Sequence, residues 1–140
     1  MRILPLFFLL LAACPTVKDD ETGGTACTEL AAVSVSVSVV DPAGDPLAPT
    51  AVTWSVDGAA PEAAQCWNEA CTEFAAGTEI AGEITVTATL SGPAEEVGCV
   101  YDSEASQTVT VEMDAEGCHV VGKQVTLTLD PSLQHCVDTG

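Results

Sequence analysis

The sequence predicts an all-β chain: a single Greek-key β-sandwich of about seven strands over residues 27–140, placed behind an N-terminal signal peptide and a flexible tether. Three observations predict it. Apolar and polar residues alternate with period two in five separate runs, which puts one face of a strand into a core and the other into water. The alternating residues are mainly Val, Ile, Leu and Thr, which suit a pleated, half-buried surface. Turn-forming Asp, Gly and Pro break up these runs, and no window past Cys14 has a helical period. Short strands with turn signals between them describe a sandwich.

Met1-Arg2 opens the chain with positive charge, and Ile3 to Ala13 is apolar except for Pro5. That run is about half the length an α-helix needs to cross a bilayer, so it makes a poor permanent span. A basic start, a short apolar run and small residues before a cut describe a secretory signal over 1–13. The ending Leu11-Ala12-Ala13-Cys14 resembles the lipobox of bacterial lipoproteins. The resemblance implies cleavage before Cys14, lipidation of Cys14, and a lasting anchor, because several acyl chains together hold a protein stably. It also implies a bacterial cell envelope location. Pro15 stands where enteric inner-membrane lipoproteins carry Asp, which points to the outer membrane. An ordinary signal peptide with an incidental Cys is the alternative. Residues 14–26 then form the lipidated Cys and a polar, aperiodic tether, about 40 Å when extended.

The chain carries 21 acidic and 3 basic residues, a formal net charge of −18. A field of that sign repels phosphate backbones and excludes nucleic acid as a partner class. It also repels anionic head groups, so the expected membrane attachment runs through the N-terminal lipid. The seven cysteines are an odd number. With Cys14 lipidated, Cys27, Cys66, Cys71, Cys99, Cys118 and Cys136 remain to form three disulfides, as an oxidising compartment permits. No CxxC pair occurs, and the tightest spacing leaves four residues between Cys66 and Cys71, which argues against a zinc site.

The strands follow in order. Val33, Val35, Val37 and Val39 alternate with Ser34, Ser36 and Ser38, until Asp41-Pro42-Ala43-Gly44-Asp45-Pro46 turns the chain. Val52, Trp54 and Val56 form the second run, ended by Asp57-Gly58. Ile84, Val86, Ala88 and Leu90 form the third, with Ser91-Gly92-Pro93 expected to end it. Val109, Val111 and Met113 form the fourth; Val125, Leu127 and Leu129 form the fifth, before Asp130-Pro131. Weaker strands are expected near Leu47–Pro49 and Phe74–Ile80.

The segment VSVSVVDPAGDPLAPTAVTWSVDG, with its strand, Asp-x-x-Gly-x-Pro turn and second strand, resembles the carboxypeptidase regulatory-like domain. GEITVTATLSG and GCHVVGKQVTLTLD resemble later strands of such modules, so the likeness spans roughly residues 28–130. It implies a transthyretin/Ig-like β-sandwich and a non-catalytic module; several of the cysteines depart from the family pattern. In a sandwich of this type the first strand runs beside the last. If those two are parallel, Cys27 comes near Cys118. If the strands at 84–90, 107–113 and 124–129 are antiparallel neighbours, Cys99 and Cys136 share the other pole. Cys66 and Cys71 are left as a local staple. The expected disulfides are therefore Cys27–Cys118, Cys66–Cys71 and Cys99–Cys136.

No catalytic residue is assigned. GxSxG and HExxH are absent, and His119 and His135 are expected at opposite ends of a strand about 20 Å long. No cofactor and no metal ligand are assigned either. Calcium on turn carboxylates (Asp41, Asp45, Asp57, Asp102, Glu104, Asp114, Glu116) stays open as an alternative, although the spacing lacks a DxDxDG pattern. Trp67 lies inside the Cys66–Cys71 loop and is the candidate contact residue, either an exposed anchor or a lid packed on the disulfide. The expectation is a lipid-anchored structural or interaction module meeting an envelope protein or a glycan, with a calcium- or carbohydrate-binding lipoprotein as the alternative.

Overall fold

The computed structural model describes residues 27–137. The expected signal peptide at 1–13, Cys14 and the tether over 14–26 lie outside the described residues, as do residues 138–140. The described chain is all-β. Its strands are β1 (Val33–Val40), β2 (Ala51–Val56), β3 (Glu62–Ala63), β4 (Gln65–Cys66), β5 (Glu73–Thr78), β6 (Gly82–Pro93), β7 (Cys99–Val111), β8 (Lys123–Thr128) and β9 (Gln134–Cys136). They form two sheets, one of four strands in the order β4-β5-β1-β8 and one of five in the order β3-β2-β6-β7-β9. All pairings are antiparallel except β1 with β8, which is parallel.

The alternation decides which side chains meet between the sheets. Val35, Val37 and Val39 of β1, Phe74 and Ala76 of β5, and Val125 and Leu127 of β8 face Val52 and Trp54 of β2 and Ile84, Val86, Ala88 and Leu90 of β6. Each large aliphatic side chain so buried contributes about 1.5–3 kcal/mol against exposure, so period-two burial is what drives the sheets together.

Four expectations are corrected. β8 is not a hydrogen-bonded neighbour of β7; it belongs to the other sheet. Beyond β7 the chain still pairs with itself, with the Val121 N–H donating to Glu112 O at 2.7 Å. It then crosses at Gly122, where a Cβ would stand 2.8 Å from the Val33 carbonyl oxygen. The close passage requires glycine and delivers β8 to the free side of β1. After β8 the chain returns, and β9 takes the edge beside the start of β7.

Second, Ser91-Gly92-Pro93 does not end its strand: β6 runs to Pro93, paired with Val100. Pairing of β2 with β6 stops at Thr89. The Ala94 N–H donates to Cys99 O at 3.0 Å, so the Pro93 nitrogen points the other way, toward the edge β2 has vacated. A missing donor is harmless there. Third, Asp102 and Glu104 stand on β7 rather than in a loop, and Cys99 begins β7 instead of preceding it. Fourth, Phe74–Ile80 contains β5, but Leu47–Pro49 is no strand. That stretch follows the Val40–Pro46 bridge, donates the Leu47 N–H to Val39 O at 3.0 Å and packs Leu47 against the core.

Candidate functional site

The disulfides join Cys27 to Cys118, Cys66 to Cys71 and Cys99 to Cys136, with Cα separations of 5.2, 5.2 and 4.0 Å. These are the three expected pairs, but the route to the last differs. Cys99 and Cys136 meet because they are directly opposite on β7 and β9. Cys27 meets Cys118 because β1 and β8 are parallel.

The Cys66–Cys71 loop builds the most exposed aromatic site. Its organiser is Asn68, which sequence reasoning overlooked. The Asn68 Oδ1 accepts the Thr72 N–H at 2.9 Å and the Glu73 N–H at 3.2 Å, while its Nδ2 donates to Thr72 Oγ1 at 2.7 Å. An Asn inside a short Cys-bounded loop is a recognisable turn signal of this kind. The Trp67 N–H donates to Glu73 O at 2.8 Å, pinning the Trp67 backbone to β5. Trp67 is 59% exposed, whereas Trp54 in the core is 8% exposed. Trp67 is therefore exposed and is not a buried lid on the disulfide.

Trp67 lines two adjoining depressions of about 280 and 370 Å³ on the outer face of the four-stranded sheet. Gln65 and Ala75 line the first; Ser36, Ser38, Gln124 and Thr126 line the second. Glu73 is the charged residue among the residues lining them. Small hydroxyl and amide groups around one rigid aromatic surface suit a polar ligand that also presents a flat apolar face.

The second polar cluster lies at the Cys27–Cys118 end. The His119 Nδ1 is 2.6 Å from Glu79 Oε1, and its Nε2 is 3.0 Å from Thr28 Oγ1. The Glu79 carboxylate also accepts the Ala32 N–H at 2.6 Å and the Val120 N–H at 3.2 Å. The Ala32 amide and then His119 hold the Glu79 pKa below its ordinary value. The hydrogen bond that the His119 ring donates to the Glu79 carboxylate raises the His119 pKa. Together they clamp the segment before β1 onto the turn before β8. His135 sits instead opposite Val100 on the β7–β9 ladder, so β8 and the following turn separate the two histidines. The His119–Glu79 pairing spans 40 residues and left no local mark in the sequence.

The candidate calcium carboxylates are spread over separate turns and one strand. The Asp41 Oδ1 accepts the Ala43 and Asp45 N–H groups, each at 2.9 Å. The Asp57 Oδ1 accepts the Glu83 N–H at 2.9 Å, and Asp114 accepts the Cys118 and His119 N–H groups. Among the described residues, the one group with metal-ligand atoms close together is Glu96, Cys99 and Cys136, and its two sulfurs are joined in a disulfide. Among the described residues, no helix is long and apolar enough to cross a membrane. Comparison with protein-family models, with curated proteins and with solved structures gave no match for the chain.

Proposed function

We propose that the chain is a lipid-anchored, non-catalytic module of a bacterial cell envelope, which meets another protein or a glycan through the face that carries Trp67. The observation that carries this reading is Trp67, 59% exposed, seated between two depressions and held by a disulfide loop. A large aromatic left in water on a stapled loop is a ready binding anchor, since aromatic side chains dominate interface energetics. Three disulfides suit an oxidising compartment outside the cytoplasm. The lipobox-like Leu11-Ala12-Ala13-Cys14 supplies the anchor in this reading, with the outer membrane as destination. The parallel pairing of β1 with β8 favours a transthyretin/Ig-like Greek-key connectivity and, with the turn at Asp41–Pro46, a module of the carboxypeptidase regulatory-like kind.

The anchor is tested by Cys14→Ser. Metabolic labelling with a tagged fatty acid should mark the parent chain and not the variant, and the variant should leave the membrane fraction. Continued membrane association of an unlabelled variant would refute the anchor.

A further inference from the structure

The register of the four-stranded sheet places one rung of side chains across all its strands. Gln65 is opposite Ala75, Ala75 opposite Ser36, and Ser36 opposite Gln124. The rung has a long amide at each end and two of the smallest side chains in the middle. It is a trough that runs across the strands, through both depressions and past Trp67. The next rung, Glu73–Ser38–Thr126, forms its far wall. The strands step about 4.8 Å, close to the length of one sugar residue in a chain, so successive strands offer polar groups at a saccharide repeat.

The polar groups of the trough are free. Among the described residues, Gln65, Ser36, Ser38, Gln124 and Thr126 make no side-chain hydrogen bond, whereas on the outside of the other sheet Thr85 bonds Thr108 and Thr87 bonds Ser106. Unspent donors and acceptors beside an exposed indole are what a ligand rich in hydroxyls and axial C–H bonds requires, because the negative face of the indole attracts C–H edges. Charge narrows the class further. A chain of net charge −18 repels polyanions, and only Glu73 lines the trough to attract a cation. A protein partner would need a desolvated apolar centre, and apart from Trp67 the outward side chains here are small or polar.

We infer that this trough binds a neutral, linear glycan, with Trp67 stacked on one sugar ring and Gln65, Gln124 and the serine and threonine hydroxyls bonding its hydroxyl groups. The inference rests on the reading of the Trp67 face as the contact surface and names what that face contacts.

The test uses the full chain, isotope-labelled and held in a detergent without a sugar head group. It is titrated with cellohexaose, maltohexaose and chitohexaose, and with hexagalacturonate as the anionic comparison. At least one neutral probe should shift the Trp67 indole and the Gln65 and Gln124 amide signals at millimolar concentration or below, leaving Thr85 and Thr108 unmoved. Trp67→Ala should weaken that binding about tenfold or more. Ser36→Leu, which fills the trough floor and keeps the indole, should also abolish it, while buried Trp54 reports that both variants are folded. The inference is overturned if no neutral probe moves these signals up to about 10 mM, if Trp67→Ala binds equally well, or if hexagalacturonate binds more tightly. A protein photo-cross-linked at the same face, with no glycan bound, would likewise overturn the glycan while leaving the interaction-module reading intact.

Discussion

Both outer faces of the sandwich are written in serine and threonine, yet they differ in what those hydroxyls do. On the five-stranded sheet Thr85 is opposite Thr108 and Thr87 opposite Ser106. Thr85 Oγ1 lies 2.8 Å from Thr108 Oγ1, and the Thr87 and Ser106 hydroxyls also bond. At the centre of that face the β6 and β7 hydroxyls satisfy one another in cross-strand pairs. On the four-stranded sheet Ser36 faces Ala75 on one side and Gln124 on the other, and its hydroxyl stays unpaired. The same residue types thus make two closed rungs between β6 and β7 on one side and an open trough on the other. Register decides between them, because a hydroxyl is satisfied only where its cross-strand neighbour offers a matching group at matching reach.

The largest effect should strike both faces together. Removing the Cys27–Cys118 bridge by paired Ala substitutions releases a separation of 91 residues and should lower stability by about 4–5 kcal/mol on the chain-entropy account. Urea unfolding followed separately by Trp54 fluorescence and by ladder threonine signals should give coincident, shifted transitions. Separate transitions would show that the two faces belong to independent folding units.

A smaller and more local effect is expected at the trough. Cys66→Ala with Cys71→Ala opens a separation of 5 residues, so the loss should be about 2 kcal/mol. Iodide quenching of Trp67 should increase, with the Thr85–Thr108 signals unchanged. If Trp67 kept its quenching constant, Asn68 and the Trp67–Glu73 backbone bond would be holding the loop without the disulfide.

Double-mutant cycles sharpen the contrast in hydroxyl pairing. Thr85→Val with Thr108→Val should show a coupling of about 0.2–1 kcal/mol, as for other cross-strand pairs. Ser36→Ala with Gln124→Ala should show none. Equal couplings would erase the distinction between ladder and trough.

The smallest effect depends on pH and involves neither outer face. The Glu79 pKa is lowered in the folded protein, so its contribution is complete above the ordinary value of 4.5 and fades as pH falls through the folded value. The His119 pKa is raised, so its contribution is complete below 6.5 and fades as pH rises through the folded value. The clamp is strongest between 4.5 and 6.5. The melting temperature of the parent chain should exceed that of His119→Gln most in that window, with the gap narrowing on both sides. A gap independent of pH would assign His119 a packing role only.

The strands with sustained alternation were legible in the sequence because burial on one face writes period two directly into the residues. Sheet membership was not. Val125, Leu127 and Leu129 announce a buried face, but nothing local says that Gly122 carries β8 across to β1. The short edges β3, β4 and β9 hold too few residues to show a period and are set by neighbouring turns and disulfides. Trp67 stood out as an aromatic inside a Cys-bounded loop. The trough beneath it did not, since the Gln65–Ala75–Ser36–Gln124 rung assembles from four strands far apart in sequence.

The central claim is that the Trp67 face, and not the threonine ladder, meets the partner. Photo-cross-linking on intact cells tests it most directly, with p-benzoylphenylalanine placed at Trp67 in one chain and at Thr87 in another. The account predicts a discrete, higher-mass adduct after irradiation from position 67 and none from position 87. Adducts of equal yield from both positions, or an adduct from position 87 alone, would contradict it.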